Sequence, residues 1–266
     1  MKITVCIKQV PDTADIKWTT DNTMNREGVE SIINPFDEYA AEAALQIKDK
    51  DESSFVTVIS MGPKQAKEAL KEVIAMGADE AFLLCDKRFA GSDTAATARV
   101  LAFAIKEKLA DTDLILCGQC AIDGDTAQTG PSLAQNLGFG LVTNVKNILK
   151  TEDKKIVVQK ETDDGIEVIQ VLLPAVICMQ KGDYEVRLPK ISGRIKAQDI
   201  EIPEYNAENL GIDIFSVGIK GSPTYVKKAF RPENRHGGEI IKDKTSKEVA
   251  CLILDKVFEF TKGENE

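Results

Sequence analysis

The stretch Leu114-Ile-Leu-Cys-Gly-Gln-Cys-Ala-Ile-Asp-Gly-Asp-Thr-Ala-Gln-Thr-Gly-Pro131 decides how this chain is read. Its first four residues are apolar throughout, as a parallel strand covered on both faces must be. The residues after Cys117 are mostly small or polar, and Thr129-Gly130-Pro131 opens a helix. In an open parallel sheet, ligands bind outside the carboxyl ends of the strands, where such a loop lies. Small residues let a ligand approach the backbone. The free N–H groups of the helix start then suit a diphosphate, helped by the hydroxyls of Thr126 and Thr129. Asp123 and Asp125 repel phosphate, so they suit ribose hydroxyls, loop structure or a helix cap. An ordinary polar loop with a cap is the plain alternative.

The same theme runs outward through residues 1–140. Short apolar strands are expected at Ile3–Ile7, Phe55–Ile59 and Ala81–Leu84. Between them lie amphipathic helices. Asn34-Pro35-Phe36-Asp37 offers a cap, a proline in the first turn and an early acid, with Phe36, Ala40, Ala43, Ala44 and Ile47 on one face. Pro63 opens a second helix that ends near Gly77. Asp93 or Thr94 caps a third. Alternating strands and helices give an α/β fold with a doubly wound, mostly parallel sheet of the adenine-nucleotide-binding, Rossmann-like kind. The strand ends at Cys6-Ile7-Lys8, Ser60-Met61-Gly62 and Cys85 through Thr94 face the same edge as the quoted loop. With Asn34–Asp37 nearby, they make a pocket sized for a nucleotide.

The pattern changes after Gly140. Ile156–Lys160 and Ile166–Leu172 flank Glu161-Thr162-Asp163-Asp164-Gly165, a β-hairpin extension with Asp-Gly turn chemistry. Ala175–Met179 is a further β segment that extends the sheet or lines an interface. Residues 1–196 are therefore expected to form the nucleotide-binding domain. Residues 197–266, polar and punctuated by Pro203, Gly211, Gly218, Gly221, Pro223 and Pro232, read as an extended arm. Its terminal helix carries Val249, Leu252, Ile253, Val257 and Phe260 as an apolar face that docks on a partner subunit or on the chain's own domain.

Composition narrows the classes. The net charge of -9, with no basic run, argues against nucleic acid. No apolar stretch approaches the roughly 20 residues of a membrane helix, and the start lacks a signal-peptide pattern; a cytoplasmic protein is expected. Cys6, Cys85, Cys117 and Cys178 sit in or beside apolar runs, as reduced buried thiols do. Cys117-Gly-Gln-Cys120 resembles a redox pair in spacing, but it ends a long-sheet strand rather than opening a thioredoxin domain. His236 is the single histidine, so a metal site and a histidine-dependent hydrolase lack their parts. Neither G-x-G-x-x-G nor a Walker sequence occurs. Chemistry, if any, falls to a bound cofactor.

These residues together resemble the β (small) subunit of electron-transferring flavoproteins, from Met1 to about Gly221. The motifs are Val5-Cys-Ile-Lys-Gln-Val-Pro-Asp12, Asn34-Pro-Phe-Asp-Glu-Tyr-Ala40, Gly118 through Pro131, and Gln159–Glu167 leading to Leu173-Pro-Ala-Val176. In the ordinary branch of that family the β subunit holds AMP, and the α subunit holds the FAD. In the bifurcating branch a second FAD takes the AMP place. Arg88-Phe-Ala-Gly-Ser-Asp-Thr94 and Asp123–Pro131 resemble the bifurcating branch. Cys120 departs from it, because the family usually has Gln there.

The resemblance implies that NADH reduces the FAD held by this chain. One electron then passes to ferredoxin or flavodoxin, the other through the α-subunit FAD to an acyl-CoA dehydrogenase-type enzyme. It also implies roles for residues. Cys6, Lys8, Asn34, Phe36, Asp37 and Met61 line the adenosine side. Gly118, Gln119, Asp123, Thr126, Gln128, Thr129 and, by its place in the loop, Gly130 bind ribose and diphosphate. Arg88, Phe89, Ser92, Asp93 and Thr94 lie near the flavin ring, and Leu188 docks the dehydrogenase. The competing expectations are an AMP-holding carrier and a universal-stress-like nucleotide-binding regulator.

Overall fold

The computed structural model describes residues 1–12, 17–18, 24–25, 31–227 and 240–263. Pro232 and the Arg235-His236-Gly237-Gly238 stretch of the expected arm lie outside the described residues.

Four short apolar runs form parallel strands: β1 (Lys2–Cys6), β2 (Phe55–Met61), β3 (Glu80–Leu84) and β4 (Leu114–Gly118). Each is buried along most of its length, because helices cover both faces of the sheet. On one face α1 (Pro35–Lys50) and α2 (Lys67–Met76) pack over Ile3, Val5, Val58 and Leu116. On the other, α3 (Thr94–Lys108) and α4 (Thr129–Leu137) pack over Cys6, Ile59, Ile115 and Cys117. Gly77, at φ 135°, ends α2 in a conformation that side chains rarely adopt.

Beyond β4 the sheet continues with β8 (Ala175–Met179), β5 (Gly140–Glu152), β6 (Lys155–Thr162) and β7 (Gly165–Leu172). The order is β7-β6-β5-β8-β4-β1-β2-β3-β9, where β9 is Glu204–Tyr205. The pairs β5–β6 and β6–β7 are antiparallel, and the other pairs are parallel. The α/β, mostly parallel, doubly wound expectation therefore holds. Ala175–Met179 extends the sheet, as expected, as an interior strand buried at all five positions. The hairpin forms, but its turn is Asp163-Asp164. Thr162 pairs with Gly165, and the positive φ of that glycine (135°) is used as the chain re-enters the ladder.

Two features differ from expectation. β5, thirteen residues long, was not anticipated. Polar residues such as Lys146, Asn147 and Lys150 interrupt its apolar pattern, and its ladder with β6 carries register shifts. Second, the composition-based boundary at 196/197 is not where the structure divides. One compact unit runs from Met1 to Lys228 and a second from Ala229 to Glu266. Residues 197–227 belong to the first: Ile202, Ala207, Leu210, Ile212 and Val217 are buried. The segment covers the open edge of β3 through Leu83 N–H to Pro203 O and Cys85 N–H to Tyr205 O, both 2.9 Å. A capped edge cannot pair with a stray strand. The described part of the second unit contains α5 (Ser246–Gly263), with Ile253, Val257 and Phe260 exposed.

Candidate functional site

Strand order reverses between β1 and β4: β2 and β3 extend one way from β1, while β4 and β8 extend the other. Such a switch point leaves a crevice at the carboxyl ends of the two strands. A cavity of about 250 Å³ lies there. Cys6, Ile7 and Lys8 line it at and beyond the end of β1, Cys117 through Ala121 at and beyond the end of β4, and Gly124 through Gly130 from the rest of that loop and the start of α4. Asn34 and Asp37 of the α1 start, Met61, and Thr94, Thr97 and Leu101 complete it. A second cavity of about 270 Å³ shares Lys8 and Met61 with the first and adds Gln9, Pro63, Phe89, Gly91 and Asp123, among others.

The start of α4 is the feature best suited to an anion. Gln128 occupies the cap position without a side-chain cap bond. The first helical N–H groups, at Thr129 and Gly130, have no partner from the preceding turn of a helix. Ala127 (φ 53°) has left-handed backbone next to Gln128, which is near-helical at φ −108°, ψ −16°. Neighbouring residues of opposite hand turn successive N–H groups toward one point, a concavity that favours an anion. Gly130 is required here by packing: a Cβ would collide with the sulfurs of Cys178 and Cys117. Gly118 is required likewise, because Asp37 and Phe36 press against it.

Asn34 holds the cap position of α1, as the sequence suggests, but its side chain makes no cap bond. Its Nδ2 instead donates to Cys120 O (2.8 Å), and its Oδ1 accepts from Ile122 N–H (3.1 Å), which holds the loop after β4 in place. Asp37, 6% exposed, accepts from Lys8 N–H at 2.7 Å and Gly118 N–H at 2.9 Å. Burial raises its pKa to about 7, against the opposing pull of the Lys8 and Gly118 N–H groups and the Asn34 side chain. Lys8, which lines both cavities, makes a two-oxygen ion pair through Nζ with Asp123 of the second (2.6 and 2.7 Å).

The structure thus brings Cys6, Lys8, Asn34, Asp37, Met61, Thr94, Gly118, Gln119, Thr126, Gln128, Thr129 and Gly130 onto one cavity wall. It places Asp123 on the neighbouring cavity. Phe36 is not a wall residue; its backbone and Cβ abut Gly118 from behind. Gln119 lines the cavity, but its side-chain oxygen is engaged by Asn144 N–H at 2.9 Å.

The expected ring-side loop is mostly turned to other tasks. Arg88 forks onto Asp86 (Nη2–Oδ2 2.6 Å), and that contact holds the Asp86 carboxyl down at about 2. Phe89, 4% exposed, roots the loop in the core while also forming part of the second cavity. Ser92 Oγ donates to Phe89 O and accepts from Gly218 N–H. Asp93 caps α3 through Ala96 N–H and accepts both N–H and O–H from Thr224. Of these residues only Thr94 reaches the first cavity, where its hydroxyl lies 3.3 Å from Gln128 Oε1.

The sequence analysis does not place Thr97 or Leu101 on the wall. Thr97 follows from Thr94 by one helical turn, a signal present in the sequence. Leu101 is apolar and carries none.

The six cysteines are unbridged. Cys6, Cys117 and Cys178 lie in register across β1, β4 and β8, with Cys117 and Cys178 sulfurs 3.7 Å apart. The Cys178 thiol beside it and burial push the Cys117 thiol far up, while burial and Asp125 push Cys120 to about 11. A redox pair needs a thiolate, so Cys117 and Cys120 are suited to packing instead. Among the described residues no metal-binding cluster occurs and no helix is long and apolar enough to cross a membrane. Leu188 is 86% exposed, on a loop fixed to α1 by Arg187, whose guanidinium pairs with Glu42 (2.8 Å) and Asp49 (2.7 Å).

Fold and cleft define a doubly wound α/β protein with a crevice and an uncapped helix at its switch point. Residues 21–209 match the electron transfer flavoprotein domain. The chain is 46% identical to the electron transfer flavoprotein subunit beta of Megasphaera elsdenii, over 97% of both proteins. It is also 46% identical to the caffeyl-CoA reductase-Etf complex subunit CarD of Acetobacterium woodii (97% of this chain, 98% of that one). Protein FixA of Azotobacter vinelandii is 40% identical over 97% of this chain and 95% of its own length. The chain belongs to the electron transfer flavoprotein family, among its β subunits. That membership sets aside the universal-stress-like regulator.

Proposed function

We propose that this chain is the β subunit of a cytoplasmic, heterodimeric, bifurcating electron-transferring flavoprotein. It holds an FAD at the crevice between β1 and β4. When bound, that flavin supplies hydride acceptance from NADH and single-electron transfer, toward ferredoxin or flavodoxin and, through the α-subunit FAD, toward an acyl-CoA dehydrogenase-type partner. The name of the Acetobacterium woodii relative, subunit of a caffeyl-CoA reductase complex, supports a partner of that kind. The chain's own work is binding and orientation. Thr129 and Gly130 N–H groups and the Thr126 hydroxyl hold phosphate. Asn34 fixes the loop, and Lys8, Asp37 and Met61 flank the adenosine. Leu188 docks the dehydrogenase, and α5 docks on the α subunit.

The observation that carries this reading is the uncapped start of α4 in a cavity at the switch point. Each cavity alone falls below the roughly 300–1,000 Å³ usual for ligand sites, whereas the two together fall inside it. A dinucleotide spanning both suits that shape. The second reading is an AMP-holding, non-bifurcating carrier. It is favoured by the expected ring-side residues Arg88, Ser92 and Asp93, which bond to protein partners rather than line the cavities.

Nucleotide extraction from the native assembly separates the two. The proposal expects two FAD per heterodimer. One FAD with one AMP establishes the second reading, and no nucleotide in this chain removes both.

A further inference from the structure

Asp37 lines the crevice, yet its hydrogen bonds go to backbone at two strand ends. Oδ2 accepts from Lys8 N–H beyond β1, and Oδ1 from Gly118 N–H at the end of β4. These strands flank the switch point. One helical turn earlier, Asn34 grips Cys120 and Ile122. The first turn of α1 is thus joined to both walls of the cavity, and Gly118 leaves no slack between them.

We propose that ionised Asp37 is a positioning residue that fixes the spacing of the two strand ends around the nucleotide, so that neutralising it releases the nucleotide while the fold persists. This rests on the reading of the crevice as a nucleotide site. A carboxylate accepts two N–H groups at once with charge assistance. Its protonated form places a hydrogen on one oxygen and loses that assistance. Burial brings this change to about 7, inside the neutral range.

The other groups facing Asp37 are accounted for. From β1 and beyond come the Cys6 thiol and the Lys8 ammonium, itself held by Asp123; from β4 and its loop come the Cys117 and Cys120 thiols; from α1 comes Asn34. Burial pushes Cys6 upward, the Cys178 thiol and burial do so for Cys117, and Cys120 stands at about 11, so these three thiols stay neutral near pH 7.

The sign of the effect distinguishes positioning from plain stability. The folded chain holds the Asp37 proton more tightly than the unfolded one. Asp37 therefore favours the fold at low pH, and that contribution declines as pH rises from the ordinary carboxylate range through about 7. Nucleotide hold is expected to run the opposite way. A merely structural Asp37 would make nucleotide loss follow fold loss.

The test is calorimetric titration of the full chain, in its native assembly and freed of nucleotide, with AMP and then FAD, alongside thermal melts. Affinity is expected to fall roughly tenfold from about pH 8 to about pH 6, as only the ionised fraction binds, with no matching fall in melting temperature. Asp37→Asn should bind weakly at both pH values, with the slope gone. The wild-type comparison of slope and melt stands even if that variant fails to fold. Equal affinity at both pH values, or a wild-type slope retained by Asp37→Asn, overturns the proposal while the nucleotide site survives. Failure of both nucleotides to bind at any pH removes the site reading itself and this proposal with it.

Discussion

Two of the helices that begin at the carboxyl edge of the sheet begin differently. At α3, Asp93 caps the helix, while Ser92 and Asp93 tie the loop to Gly218 and Thr224. At α4, no side chain caps the helix, Gly130 sits tight on two sulfurs, and the turn before it uses left-handed backbone at Asp125 and Ala127. A capped start has part of its orphan N–H set satisfied by its own side chain, as Asp93 does for Ala96. An uncapped start inside a cavity retains binding capacity for an anion. Two equally polar loops at one edge therefore differ in the capacity of their helix starts for an anion.

The largest effect should come from placing charge at the open start. Thr129→Glu should weaken nucleotide binding on the order of a hundredfold or more, since like charges brought together cost several kcal/mol. The melting curve should stay cooperative. Retention of normal nucleotide content on extraction would contradict the contrast.

A subtler variant makes α4 resemble α3. Gln128→Ser supplies the missing cap, and should raise stability by about 0.5–1 kcal/mol while lowering nucleotide affinity. Denaturant melts and calorimetry read the two effects separately, and a rise in both would show that the cap and the ligand do not compete. Conversely, Asp93→Ala removes the cap from α3 and its bonds to Thr224. It should cost about 1–2 kcal/mol of stability, with adenine-nucleotide affinity nearly unchanged. Loss of AMP binding in that variant would show that the capped loop belongs to the site after all. The smallest effect is expected for Lys8→Ala. Lys8 is half exposed, and its ion pair with Asp123 should contribute less than about 1 kcal/mol, fading with added salt.

Much of this contrast was visible in the sequence. Mostly apolar runs of four to five residues (Ile3–Ile7, Phe55–Ile59, Ala81–Leu84 and Leu114–Cys117) mark β1 through β4, because parallel strands covered on both faces have no polar side. Asp93 was readable as a cap and Thr129-Gly130-Pro131 as a helix start. The features that stayed hidden depend on contacts between distant segments. The burial of 197–227 rests on backbone bonds such as Leu83 N–H to Pro203 O, which composition does not encode. Asn34 looks like a cap from its neighbours, and only the fold brings Cys120 and Ile122 within its reach. β5 alternates poorly because its ladder is irregular, so its periodicity is lost. The resemblance gives Ser92 and Asp93 a place near the flavin ring, yet each also has a partner more than a hundred residues away, Gly218 and Thr224 respectively.

Amide hydrogen exchange of the native assembly, with and without AMP, tests the central claim most directly. The open helix start should gain protection at Thr129 and Gly130, while the amides of Thr94 through Thr97 at the capped start change little. Protection confined to the capped start, or none at Thr129 and Gly130, would contradict the assignment of phosphate to α4.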